Sequence, residues 1–273
     1  MTALPLIYLA LAGLVGGFLA GLIGIGGGVV FAPVLFVYLQ HIGTPAELVT
    51  PMVLGSSLLC TFAAAASSAG RHHANGAVRP KLAVRVGLLS AVFLFLTTRL
   101  VTTKPWYDGE VFQVVFGLVL LAVTVRMLLD VFGKKANDEP AQEERTGWGA
   151  STGIAAAAGG LAAAAGVGGG VVLVPGYNKG LRLPLREAVG TSSATIVLIS
   201  LAGVLSYAYA GWGVDAPGLT LGYVDLQNAA GLAIPALIGA RIGARVAHRV
   251  SRRVIRLTFA VFALGIAIRL LAG

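Results

Sequence analysis

The sequence is poor in cysteine and in charged residues. Cys60 is the one cysteine among 273 residues, which excludes an intrachain disulfide and a metal centre built from several thiolates. Charged residues make up only 11% of the chain and hydrophobic residues 57%, whereas about a quarter of an average soluble domain is charged. The composition therefore lacks the polar surface of a soluble protein and favours a protein of the lipid bilayer.

Long apolar stretches account for this composition. A membrane-spanning helix needs about 20 mostly apolar residues. Stretches that approach this length are residues 4–22, 48–69, 82–97, 111–132, 154–165, 188–210, 224–239 and 254–271. They predict an all-α, multi-pass integral membrane protein, which we expect in a bacterial inner membrane. Residues 1–17 lack a basic leading segment, so the first stretch is interpreted as a helix and not as a cleaved signal peptide.

A glycine-rich turn occurs twice within this apolar sequence. Residues 24–30 read Gly-Ile-Gly-Gly-Gly-Val-Val and are followed by Pro33; residues 166–172 read Gly-Val-Gly-Gly-Gly-Val-Val and are followed by Pro175. Residues 55–57, Gly-Ser-Ser, likewise match residues 190–192, Gly-Thr-Ser. The chain is thus predicted to contain two transmembrane repeats, residues 1–132 and 149–273, joined by a flexible cytoplasmic linker at residues 133–148. Each repeat is expected to hold about five helical segments, with a helix broken at the glycine turn.

The basic residues predict how the repeats are oriented. Residues 241–256 contain a cluster of six arginines (Arg241, Arg245, Arg249, Arg252, Arg253 and Arg256), which the positive-inside rule places in the cytoplasm, next to anionic lipid headgroups. Residues 211–218 have no lysine or arginine, whereas the matching residues 70–81 have three. The two repeats are therefore predicted to be inverted relative to the membrane, as in many secondary transporters. The net charge of +9 is assigned to this topology and not to nucleic acid.

The glycine turns are candidates for binding an anion. A Gly-x-Gly-Gly-Gly run ends one helix and starts another, whose first N–H groups and positive dipole end attract negative charge. This makes Gly26, Gly27 and Gly28 in the first repeat, and Gly168, Gly169 and Gly170 in the second, candidate substrate-binding residues. Close packing of helices through small residues is the alternative explanation. A nucleotide-binding loop is excluded because no strand precedes the motif and no Lys-Ser/Thr pair follows it.

Hydroxyl groups lie at matching places near the start of a later stretch in each repeat. They belong to Ser56, Ser57, Thr191 and Ser192, and they could donate hydrogen bonds to an anion while remaining uncharged. The alternative is bonding to carbonyl groups of the same helix or of a neighbouring helix.

Two ionisable residues are candidates for coupling or gating. Asp225 lies in a predicted span, where a carboxylate could couple transport to a proton or sodium ion. His72 could act as a pH-sensitive gate. The alternatives are that His72 and His73 mark the cytoplasmic end of a span, or that they are the centre of a metal-handling protein or membrane enzyme. Since no further ligands lie at metal-binding spacing, neither a metal site nor a cofactor is predicted.

These motifs resemble the TauE/SafE family, also called the toluene sulfonate uptake permease family, of anion carriers. The resemblance covers roughly residues 9–271 apart from the linker, and the second repeat carries its pattern in Glu187 to Ser192. It implies a non-enzymatic secondary transporter of a small anion such as sulfite or sulfoacetate, with a central site framed by the turns and hydroxyls. An anion or small-solute channel remains the alternative. The sequence does not predict the oligomeric state.

Overall fold

The structure, a computed structural model, describes residues 3–103, 107–132, 147–247, 257, 260–261 and 263–268. The first half contains α1 (Ala3–Ile23), α2 (Gly28–His41), α3 (Ala46–Ala74), α4 (Pro80–Thr103) and α5 (Gly109–Phe132). The second half contains α6 (Trp148–Ala165), α7 (Gly170–Pro175), α8 (Leu185–Ala210) and α9 (Leu226–Val246), with further helical residues between 257 and 268. Helices α6 to α9 thus follow in the same order as α1 to α4, with a short helix in second place in each half.

Four of these helices are long and apolar enough to cross a membrane: α3, α4, α8 and α9. Exposed side chains along the outer helices are large and apolar, for example Leu88, Leu96 and Ile234, as expected of surfaces that face lipid. This confirms the all-α membrane class. The inversion of the halves stays a prediction, and most of the predicted linker, residues 133–146, lies outside the described residues.

The helices of the two halves are interleaved. α3 and α8 pack side by side, while α1 packs along α9 and α6 packs along α4. The first helix of each half thus lies on the fourth helix of the other half. Glycines permit this close approach: a Cβ at Gly17 would lie 2.2 Å from the Ala236 carbonyl oxygen, and one at Gly159 would lie 2.2 Å from that of Ser90.

The short segments after the glycine turns differ between the halves. α2 continues through Pro33 to His41, but α7 ends at Pro175 and passes into a single π-helical turn, Gly176–Gly180. Proline removes a backbone donor and disfavours the interior of a helix. Pro175 accordingly stands at the end of α7, whereas Pro33 lies within α2. At about 21 Å, the 14-residue α2 is shorter than the ~30 Å hydrocarbon core of a bilayer.

A small β-hairpin precedes α9. Strand β1 (Thr220–Leu221) pairs antiparallel with β2 (Val224–Asp225), with Thr220 opposite Asp225. The apolar stretch predicted at residues 224–239 therefore begins with this strand, and its helix starts at Leu226.

Candidate functional site

The two glycine turns have the same backbone conformation. Gly24, Gly26 and Gly27 have φ angles of 76°, 90° and 77°, and Gly166, Gly168 and Gly169 have 68°, 67° and 76°. Residues that carry a side chain rarely adopt this left-handed backbone region, so glycine is required at each of these positions. All six residues are buried. Helices α2 and α7 begin directly after the turns, as the motif predicts.

The turns pack against each other in a reciprocal way. A Cβ at Gly28 would lie 2.5 Å from the carbonyl oxygen of Gly166 and 2.5 Å from Val167 Cα. A Cβ at Gly170 would lie 2.5 Å from the carbonyl oxygen of Ile25. Each helix start therefore touches the turn of the other half, and the six glycines predicted as site residues lie together at one junction.

Two of the predicted hydroxyl groups tie this junction together. Ser57 Oγ donates to the Gly166 carbonyl oxygen at 3.1 Å, and lies equally close to the Leu54 carbonyl oxygen of its own helix. Ser192 Oγ donates to the Gly24 carbonyl oxygen at 3.1 Å. Each serine thus reaches from its own half to the turn of the other half. This arrangement favours the interhelical alternative for these two residues in the conformation described.

The other two hydroxyl groups have a different role. The Asp225 N–H donates to Ser56 Oγ at 2.9 Å, and the Arg79 N–H donates to Thr191 Oγ1 at 3.0 Å. Ser56 and Thr191 accept these bonds, so each keeps its own proton as a donor. The loops before α9 and α4 are thereby held against α3 and α8.

We expect Ser192→Ala to lower the free energy of unfolding by about 1–3 kcal/mol, because the buried Gly24 carbonyl loses its hydroxyl donor. Thermal unfolding in detergent measures the effect. The matched control is Ser200→Ala in the same helix: Ser200 Oγ donates to the Ile196 carbonyl of its own helix at 2.5 Å, so its removal breaks no contact between halves. Equal losses in the two variants would contradict a stabilising role for the bond from Ser192 to Gly24.

Asp225 lies at the end of its helix and not within a span. It is the N-cap of α9, and its Oδ1 accepts from the Asn228 N–H at 3.0 Å while Oδ2 accepts from Asn228 Nδ2 at 2.6 Å. The side chain is 2% exposed. A carboxylate at this position is stabilised by the positive end of the helix dipole. Its coupling role stays a prediction.

His72 lies in the last turn of α3 and is buried. Its carbonyl oxygen accepts from the Ala77 N–H at 3.0 Å, and the carbonyl oxygen of Tyr207 accepts from the Tyr223 N–H at 3.3 Å. His72 and Tyr207 are 135 residues apart, like Ser57 and Ser192, and their carbonyl groups anchor corresponding loops. Within the described part of the chain, no three His, Cys, Asp or Glu side chains are grouped as metal ligands. The gating role of His72 stays a prediction.

Sequence reasoning missed two buried residues at the junction, Thr61 of α3 and Ile196 of α8. A Cβ at either Gly26 or Gly168 would contact both of them. They occupy matching positions, 135 residues apart like Ser57 and Ser192. Because their side chains differ in chemistry, a comparison of the repeats for identical residues does not find them.

The chain is similar in sequence to membrane transporter proteins. The model of the family described as sulfite exporter TauE/SafE matches residues 9–270. A probable membrane transporter protein of Haemophilus influenzae is 27% identical over 266 residues, which cover 95% of this chain and 96% of that protein. A probable membrane transporter protein of Methanocaldococcus jannaschii is 29% identical, covering 86% and 82% of the two chains. No solved structure matches the chain at a significant level.

Proposed function

Because this chain belongs to the TauE/SafE family and is a multi-pass membrane transporter, we propose that it carries a small sulfur oxyanion or organosulfonate. The anion binds at the junction of the glycine turns, near the middle of the membrane. Alternating access moves it across a bacterial inner membrane. The names of the relatives go no further than membrane transporter. The choice of a sulfur anion follows the family description, and the binding of an anion is argued from the junction.

The observation that carries this proposal is the meeting of two broken helices inside a buried centre. The first helical bonds of α2 run from Val30 and Phe31 to the Gly27 carbonyl, so the N–H groups of Gly28 and Val29 come before them. Likewise, the N–H groups of Val172 and Leu173 donate the first helical bonds of α7 to the Gly169 carbonyl. The first N–H groups of a helix have no acceptor within that helix, so they favour the binding of an anion. A neutral site of this kind suits an anion that must be released again.

The hydroxyl groups of Ser56 and Thr191 supply further donors in this proposal. Both are fully buried and both hold the N–H of a loop from the other half. A movement of either loop would change the orientation of the hydroxyl that it contacts. For Ser57 and Ser192, binding substrate would require that they release the carbonyl groups of Gly166 and Gly24.

Charged residues near the junction and at the end of α9 are assigned roles in coupling and orientation. Asp225 beside Ser56 is the candidate for coupling to a proton or sodium ion. Arg241 and Arg245 are exposed on the last two turns of α9, where they would meet anionic lipid headgroups on the cytoplasmic side. The remaining arginines of the cluster lie outside the described residues. With these arginines on the cytoplasmic side, and with the basic residues of 70–81 on the same side, the two halves are inverted relative to the membrane.

Flux into proteoliposomes tests the proposed function. Purified protein is reconstituted, and uptake of sulfite, sulfate, thiosulfate, methanesulfonate and sulfoacetate is measured with and without a pH gradient. We expect saturable uptake of at least one of these anions. Ser56→Ala combined with Thr191→Val should reduce that uptake about tenfold or more, because two donors to a charged group are lost.

The matched control for this double variant is Ser206→Ala, which removes an α8 hydroxyl that donates to the Ala202 carbonyl of its own helix at 2.7 Å. It should transport like the wild type. The absence of flux for every sulfur anion, in protein shown to be folded, would overturn the proposal. Uptake that does not saturate and shows no counterflow would replace the carrier with a channel.

A further inference from the structure

Thr61 and Ile196 each lie against both glycine turns. A Cβ at Gly26 would lie 3.1 Å from Cγ2 of both residues, and a Cβ at Gly168 would lie 2.7 Å from Thr61 Cγ2 and 3.0 Å from Ile196 Cγ2. Both side chains are fully buried. One threonine and one isoleucine therefore stand at equivalent places in a junction that is otherwise closely matched between the halves.

The Thr61 hydroxyl faces the beginning of α2. Its Oγ1 lies 3.0 Å from the position that a Cβ at Gly28 would occupy. Among the described residues, this buried oxygen has no hydrogen-bond partner. Thr195, near the matching place in α8, shows the usual arrangement: its Oγ1 donates to the Thr191 carbonyl oxygen at 2.8 Å and lies 2.8 Å from the Tyr177 hydroxyl. A buried hydroxyl without a partner is costly and calls for an explanation.

We propose that Thr61 is a specificity-determining residue of the anion site: its hydroxyl and the first N–H groups of α2 bind three oxygens of the substrate, while Ile196 faces the fourth position. This rests on the proposed function of the junction. The two helix starts consequently differ in role. The 14-residue α2 binds the anion, and the six-residue α7 mainly shapes the junction.

The chemical difference between Thr61 and Ile196 defines the class of substrate. A sulfonate or sulfite group has three oxygens and a fourth position occupied by carbon or by a lone pair. Sulfate has a fourth oxygen, which would lie against the apolar Ile196 side chain without a donor. Burying a polar group without a hydrogen bond is unfavourable. We therefore expect the site to prefer anions of the form X–SO₃ over sulfate.

Binding of methanesulfonate and of sulfate to purified full-length protein tests this inference. Thr61→Val keeps the shape of the side chain and removes the hydroxyl, so it should weaken methanesulfonate binding about ten- to hundredfold. Its melting temperature should be equal to or above that of the wild type, because an unpartnered buried hydroxyl is removed. Thr61→Ser should retain most of the binding.

The matched control is Thr50→Val. Thr50 is a buried threonine of the same helix, and its Oγ1 also has no hydrogen-bond partner among the described residues, but it lies 11 residues earlier. That spacing is about 16 Å along α3. This variant should bind methanesulfonate like the wild type. Ile196→Thr should change the preference itself and raise the affinity for sulfate relative to methanesulfonate.

The outcomes separate this inference from the proposed function. Wild-type protein that transports sulfonates, together with a folded Thr61→Val variant that binds them equally well, would overturn the role of Thr61 alone. A sulfate-to-sulfonate ratio unchanged by Ile196→Thr would overturn the role of Ile196. Folded wild-type protein that neither binds nor transports any sulfur anion would overturn both proposals.

Discussion

Gly170→Ala is expected to prevent the two glycine turns from packing together and to lower the yield of folded protein sharply. The added Cβ would lie 2.5 Å, 2.6 Å and 2.7 Å from the carbonyl oxygen, Cα and carbonyl carbon of Ile25. All three are backbone atoms, so no side-chain rotation can relieve the overlap. Overpacking of this kind typically costs about 1–3 kcal/mol, and a contact with rigid backbone belongs at or above the upper end.

The control for Gly170→Ala is Gly153→Ala in α6, where a Cβ would meet nothing within 4 Å. Since alanine favours helix over glycine by about 1 kcal/mol, this variant should be neutral or slightly stabilised. Melting temperatures in detergent and the monodisperse fraction on size exclusion measure both variants. Gly28→Ala, whose Cβ would overlap Gly166 and Val167, should resemble Gly170→Ala. A Gly170→Ala protein as stable as the control would show that the junction is looser than described.

Gly159→Ala is expected to destabilise the protein by about 3 kcal/mol, because it pushes α6 away from α4. Its Cβ would lie 2.2 Å from the Ser90 carbonyl oxygen and 3.0 Å from the Leu94 nitrogen. Gly160→Ala is the neighbouring control, since its Cβ would meet only Thr97 Oγ1, at an ordinary 3.7 Å. The two variants have the same composition and the same helix propensity, so their difference in melting temperature reports the helix contact alone. Similar melting temperatures for the pair would contradict the close contact between α4 and α6.

The sequence predicted those features that depend on backbone chemistry. Two matching glycine runs within apolar sequence imply two broken helices, and the structure has α2 starting at Gly28 and α7 at Gly170. Glycine was informative because few other residues adopt the left-handed angles of these turns. In the fold, two of the predicted hydroxyls, Ser57 and Ser192, contact the glycine turns, whereas Ser56 and Thr191 contact loops. Their function in binding stays a prediction.

The sequence did not predict which helices pack together. Gly17 and Gly159 are small residues within apolar helices. Such residues permit close approach, but they do not indicate which helix packs against them. The hydrogen-bond partners of the hydroxyls could not be predicted for a related reason. Ser56 and Ser57 are adjacent in sequence, but one accepts from Asp225 and the other donates to Gly166. These choices depend on contacts between residues more than 100 positions apart, which local patterns do not encode.

The pairing of α1 with α9 has a consequence for how the protein is made. Ribosomes add about 5–20 residues per second, and α9 begins 203 residues after α1 ends (Ile23 to Leu226). During synthesis, roughly 10–40 s therefore pass between the completion of α1 and the start of α9. Throughout that interval the glycine face of α1, which includes Gly13, Gly17 and Gly21, has to be covered by lipid or by the insertion machinery. Lipid or the insertion machinery is thus the first binding partner of a surface that packs against α9 in the finished protein.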